Sequence, residues 1–383
     1  MAEAASAAAA DDHELQYNLA EQRGWLALQA GQPQAAQTQF ALALAQAQAA
    51  FGENSLPAVD ALRGLQNALA DAGQYEEALA LVERARTLIE RSPDMTPRDR
   101  FGNDYDRVSL LYRWGRFRDA AAAAADSEPR CADQLGAADE TCVLQVQVQL
   151  QSMLSMGERA GLQARLPALL DVLDRLPAGR RRAEGLIVAV QALVGAGQVE
   201  RHPALVDRLA RQAEAAPSNQ LPQALAERSA LVMAELELRR GQADPARRWL
   251  DSFAARQATQ ATQVAAQREQ ARANLVEGWV WRAAGDPARA EQALRLAHRG
   301  YADLLGAEHP QTLSVSLNLA DLLRAPGRAA EGLALVDAAL PRLRGAWGAD
   351  APAFGRATRL QSELRDATGG IAKKAVSAPE FFN

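Results

Sequence analysis

The side chains best suited to chemistry in this chain of 383 residues are four histidines, two cysteines and a surplus of arginine. His13, His202, His298 and His309 are scattered along most of the sequence. None belongs to an H-E-x-x-H pair or another metal-ligand spacing. Cys131 and Cys142 are 11 residues apart in the segment EPRCADQLGAADETC. Two thiols cannot supply the four ligands of a structural zinc site. They are either two unrelated thiols or a disulfide stapling a connecting segment. Pro129, Gly136 and the polar residues around them make 128–142 read as a flexible loop in which the sulfurs can meet. The disulfide is the preferred reading, and it puts the chain in an oxidising, periplasmic or otherwise extracytoplasmic compartment. Free thiols would put it in a cytoplasm. No Gly-Lys-Ser/Thr loop or strand-borne glycine fingerprint exists, and Gly369-Gly370-Ile371-Ala372-Lys373-Lys374 has no following helix to aim at a phosphate. The expectation is a protein that is not an enzyme and holds no cofactor or metal.

The elements that must position these residues read as helices. The apolar fraction is 48% but aromatics are only 5%. Much of the remainder is alanine, which favours helix and lets helices approach closely, while strand-favouring residues are sparse. The formal net charge of −5 argues against nucleic acid or an anionic membrane as the partner of the whole chain. Of the 42 basic residues only Lys373 and Lys374 are lysines, a skew expected of a GC-rich bacterial genome. No run approaches the roughly 18 apolar residues of a membrane span. The N-terminal MAEAASAAAADD lacks the basic start and leucine-rich core of a signal peptide.

Glycines set the period. Gly31, Gly73, Gly115, Gly157, Gly197, Gly241, Gly285 and Gly327 follow one another at spacings of 42, 42, 42, 40, 44, 44 and 42. Each stands between two Ala/Leu-rich stretches, where a tight turn requires a positive φ. Five residues beyond them most positions are small: Ala36, Ala78, Ala120, Ala246, Ala290 and Gly332. Gly24, Ala234, Gly278 and Ala320 are small seven residues before the turn. Small residues at such offsets let paired helices touch. The pattern fades where Leu162, Leu169 and His202 replace small residues, and His202-Pro203 predicts a local distortion.

This pattern resembles the tetratricopeptide repeat, in the 42-residue variant of kinesin light chains and many bacterial regulatory proteins. The loops FGENSLP (51–57), LGAEHPQTL (305–313) and WGADAP (347–352) and the run Leu317-Asn318-Leu319-Ala320 carry the same likeness. The resemblance covers roughly 14–368 and implies an all-α, right-handed solenoid of about eight helix–turn–helix repeats, irregular around 128–215. Residues 1–13 would form an arm, 352–367 a capping helix that closes the apolar end, and 369–383 a tail. In repeats of this type His309 serves loop geometry.

The resemblance also implies a groove lined by the first helix of each repeat, which binds a protein or peptide. The inward offsets lie thirteen, ten, nine, six, three and two residues before each turn glycine. They include Tyr105, Tyr112 and Arg113, and, as the strongest candidates, Arg272, Trp279, Arg282, Asn318, Asp321, Arg324 and Arg359. Arginine with asparagine can grip a carboxylate or peptide backbone, and tryptophan can anchor it. The plainer alternative is that Trp279 and Trp281 pack between helices while the arginines form ion pairs. The two-carboxylate clamp of chaperone-binding relatives is not matched, since the required Lys and Asn positions are absent from adjacent repeats. The leading function is a polypeptide-binding scaffold or sensor, which in a larger bacterial signalling protein would be the sensing part. The alternatives are a non-catalytic subunit framing an enzyme's active site and a self-assembling structural solenoid.

Overall fold

The computed structural model describes residues 2–218, 221–257, 264–325 and 327–369. Among these are seventeen α-helices, one 3-10 turn and no strand. In chain order the helices are α1 (Ala2–Gln29), α2 (Pro33–Phe51), α3 (Leu56–Asp71), α4 (Tyr75–Arg91), α5 (Pro97–Arg113) and α6 (Phe117–Leu135). Then follow α7 (Glu140–Met156), α8 (Arg159–Leu173), α9 (Arg180–Ala196), α10 (Pro203–Glu214), α11 (Gln223–Arg239) and α12 (Ala243–Gln257). The last are α13 (Val264–Ala283), α14 (Pro287–Leu305), α15 (Pro310–Leu322), α16 (Ala329–Trp347) and α17 (Pro352–Thr368). The all-helical composition expected from the sequence is observed, and the tail from 370 lies outside the described residues.

The local reasons for these boundaries are visible. All eight period-setting glycines have positive φ, from 66° to 85°. Proline opens many of the helices, including α2, α5, α10, α14, α15 and α17, where its missing N–H costs nothing. Thr96 and Asp99 form a reciprocal capping box at the start of α5. His309 caps α15 by accepting from the Gln311 backbone N–H at 3.2 Å, which gives this histidine a structural task. A 3-10 turn at Val199–Arg201 precedes α10, at the place where His202-Pro203 predicts a distortion.

Two compact units divide the chain. Among the described residues, one holds 2–114 and 122–145; the other holds 115–121 and the described part of 146–369. Within each, helices pack against their neighbours in sequence, and odd-numbered helices also touch the next odd-numbered one: α1 with α3, α3 with α5, α9 with α11, α11 with α13. This neighbour-to-neighbour packing is consistent with an α-solenoid. In the first unit Phe40 is fully buried between Ala36 and Ala68. In the second, Trp279, Leu294, Ala297, Tyr301 and Leu319 share one core cluster. Ala36 and Ala290 have no exposed surface. Replacing either with leucine is therefore expected to destabilise by about 1–3 kcal/mol through overpacking; denaturant melts matching wild type for both would contradict this packing.

The segment around the cysteines differs from the flexible loop expected for 128–142. Helix α6 runs through Pro129 and Cys131 to Leu135, and α7 already starts at Glu140. The Ala-rich first half of α6 carries the helix past the proline, and Gly136, at φ +92°, ends it. The turn Leu135-Gly136-Ala137-Ala138-Asp139 repeats the apolar–Gly–acidic loops elsewhere, without their proline. Cys131 and Cys142 are joined as a disulfide, Cα–Cα 5.6 Å, buried beside Phe101 and Leu135. It closes a loop with a sequence separation of 11. Reduction is expected to remove about 2–3 kcal/mol of stability on the chain-entropy account. Guanidinium unfolding with and without reductant measures this, and coincident curves would refute it.

Candidate functional site

The inward offsets of the first helices do carry polar side chains, and the structure pairs them with one another across successive first helices. In the first unit Arg63 on α3 donates from Nε to Asp106 Oδ2 on α5 at 2.7 Å and from Nη1 to Asp60 Oδ1 at 3.0 Å. Burial pushes the Asp106 carboxyl above the ordinary carboxylate range, opposed by the Arg63 charge. Arg113 donates to Asn67 Oδ1 at 3.1 Å and pairs with Asp71. Tyr105 and Tyr112 are half-buried on the same helix, and Tyr75 stacks on Trp114 with centroids 5.8 Å apart.

The second unit repeats the motif. Arg272 on α13 donates from Nε to Glu235 Oε1 on α11 at 3.1 Å. Burial pulls its guanidinium down, but Glu235 and Glu269 together hold it above the ordinary arginine value. Trp279 is only 4% exposed, and its Nε1 donates to Asn318 Oδ1 at 2.9 Å. Asn318 in turn donates to the Ser314 carbonyl at 2.9 Å. The anchor expected at Trp279 is thus a core residue: burying a large ring with its single donor satisfied is the more stable arrangement. Asp321 on α15 is met by Arg282 from α13 and by Arg324 from the turn that follows α15. Arg324 also reaches Glu363 on α17 at 2.6 Å. Arg359 is exposed on α17. Trp281 is held between the guanidiniums of Arg247 and Arg289, 4.4 and 4.5 Å from its ring centroid. Arg113, Arg272, Arg282, Asp321 and Arg324 make ion pairs between elements and Trp279 is buried between helices, the arrangement of the plainer of the two readings.

On the second helices α14 and α16, Glu291 accepts from Arg328 at 2.5 and 3.0 Å and from Arg295 at 2.9 Å. Hydrogen bonds from Arg328, with Arg295 adding to them, hold its carboxyl down at about 2.

A roomy concavity lies elsewhere. A cleft of about 360 Å³ opens in the first unit between α4, α5 and α6, on the side of α5 away from Tyr105 and Tyr112. Arg100, Asn103, Asp104 and Arg107 reach it from α5, at the i, i+3, i+4, i+7 spacing that lines one helix face. Arg86 enters from α4 and Arg130 from α6. Arg86 lies 3.4 Å from Asp104 and Arg130 donates to Asp126 at 2.7 Å. Arg107 Nε stands 3.2 Å from Glu83 Oε1 but out of line for a hydrogen bond. Burial raises the Asp104 carboxyl, opposed by Arg86 and Arg130. Asn103 is 2% exposed and its Nδ2 has no acceptor. The sequence signal that could have found this cleft is the polar stripe 100, 103, 104, 107 in an otherwise core-facing register.

Among the described residues no three His, Cys, Asp or Glu side chains are grouped to hold a metal ion, and no helix is long and apolar enough to cross a membrane. Compared with protein-family models the chain matches none, and no curated protein is significantly similar to it.

Proposed function

We propose that this chain is a right-handed tetratricopeptide-type solenoid of about eight repeats and a capping helix, and that it binds a segment of another polypeptide rather than catalysing a reaction. The observation that carries the reading is the recurrence of positive-φ turn glycines at a period close to 42 residues, joined to packing of α1 on α3, α3 on α5, α9 on α11 and α11 on α13. Such stacking produces an extended surface of regularly spaced polar side chains suited to a polypeptide. The internal ion pairs described above fix that surface before a partner arrives, which lowers the ordering cost of binding. In a larger signalling protein this surface would be the sensing part.

The test uses the purified chain as bait for affinity capture, followed by binding measurements with the recovered protein made recombinantly. Tyr105→Ala combined with Tyr112→Ala is expected to weaken that complex, measured at a temperature at which circular dichroism shows the variant folded. Turnover of a substrate by the chain alone, or a complex indifferent to these first-helix substitutions, would overturn the reading.

A further inference from the structure

We infer that the cleft between α4, α5 and α6 is a carboxylate-binding site, formed by Asn103 and Arg107 at its floor and Arg100 at its rim. Two observations independent of each other converge on it. The first is the cleft itself, whose size falls at the lower end of the range for ligand pockets. The second is the side chain of Asn103, almost wholly buried in the lining, with a donor that has no acceptor. Buried donors are nearly always satisfied, because leaving one unpaired costs free energy. Arg107 Nε shares the lining and also lacks an aligned acceptor. Both groups are donors, so the missing partner is an acceptor. Arg100 makes no hydrogen bond or ion pair among the described residues and stands exposed at the edge of the same cleft.

Charge narrows the ligand further. The lining holds four arginines, Arg86, Arg100, Arg107 and Arg130, against the carboxylates of Glu90, Asp104 and Asp126. Glu83, 3.2 Å from Arg107, brings the balance to neutral, so a monoanionic group is better tolerated than a phosphate dianion facing these carboxylates. A planar carboxylate also matches the guanidinium fork and can accept from the Asn103 amide at the same time. The volume admits one acidic side chain or a small monocarboxylate. The source is either a free monocarboxylate or a Glu or Asp side chain of a bound polypeptide; the second source rests on the polypeptide-binding reading, the first does not.

The experiment titrates the full chain by calorimetry at fixed ionic strength with two probes: sodium propionate, and an acetylated, amidated peptide of alternating Gly and Glu. Sodium chloride serves as the blank. At least one probe is expected to saturate in the millimolar range or tighter. Asn103→Leu and Arg100→Gln are each expected to weaken it by about tenfold or more, as removal of a hydrogen bond to a charged group does. Arg100 is exposed, so its replacement reports on binding even where Asn103→Leu fails to fold. Saturation by propionate assigns the free monocarboxylate as a sufficient source; saturation by the peptide alone assigns the polypeptide. Saturation by neither probe overturns the inference. So does peptide binding that survives both substitutions but is lost with Tyr105→Ala and Tyr112→Ala, an outcome that leaves the polypeptide-binding reading standing.

Discussion

Phe40→Ala is expected to cost the first unit about 3–5 kcal/mol, the range for truncating a buried aromatic ring. Phe40 has no exposed surface, and its ring meets the Trp25 ring edge-on, with centroids 5.0 Å apart. Its other neighbours are Gly24 on α1 and Gly64 on α3. A Cβ at Gly24 would lie 2.7 Å from the ring, and one at Gly64 only 2.2 Å. The ring therefore occupies space that two glycines leave open, and neither glycine has a side chain that could move to refill it. Cavities that cannot collapse stand at the costly end of the truncation range. The reciprocal variant, Gly64→Ala, is expected to destabilise by about 1–3 kcal/mol through overpacking. Combining Gly64→Ala with Phe40→Leu should cost less than the two separate losses together, because the smaller side chain makes room for the added methyl. Guanidinium unfolding of Phe40→Ala, Phe40→Leu, Gly64→Ala and the double variant decides this. A Phe40→Ala curve within about 1 kcal/mol of wild type, well below the expected loss, would show that the ring is not the wedge between α1, α2 and α3.

How much of this was legible in the sequence depends on whether the cause is local. The turn glycines were readable because a positive φ leaves a residue-type mark at the position itself, and all eight behave accordingly. The inter-repeat loops at 51–57, 305–313 and 347–352 were readable through their Gly–acidic–Pro order. The equivalent turn at Gly136 was not, because it lacks the proline, and Pro129 upstream suggested that the helix had already ended. A proline removes one helical hydrogen bond, yet an Ala-rich first half and the disulfide to α7 hold α6 through Cys131.

Candidate sites were legible as faces but not as partners. Arg63 meets Asp106, 43 residues on; Trp279 meets Asn318, 39 residues on; Arg272 meets Glu235, 37 residues back. Each separation is close to one period, so each pair joins equivalent faces of successive first helices. A polar residue at an inward offset therefore reads the same whether it faces solvent or the next helix. The cleft on the far side of α5 was missed for a different reason. Its stripe of Arg100, Asn103, Asp104 and Arg107 lies on the face that the repeat assigns to packing, where polar residues are not sought.

Asp321→Ala is expected to destabilise the second unit by about 3 kcal/mol, the lower end of the range for breaking a buried ion pair from one side. The Asp321 side chain has no exposed surface, and each of its two arginines, Arg282 and Arg324, is 19% exposed. Removing the carboxylate leaves both guanidiniums partly desolvated. Arg324 retains Glu363 as a partner, but Arg282 has no other ion pair among the described residues, so most of the loss should come from it. Asp321→Asn keeps the shape and one acceptor and should cost less than Asp321→Ala. Arg282→Gln should cost less again, because Asp321 keeps Arg324. Adding Arg282→Met to Asp321→Ala should recover part of the loss, since an apolar side chain in place of the stranded guanidinium needs no partner. Raising the salt concentration should change these differences little, as buried charges are screened far less than exposed ones. Urea unfolding of the four variants measures all of this. If Asp321→Ala proved no worse than Asp321→Asn, the Arg282–Asp321–Arg324 cluster would not be the strut that joins α13 to α15.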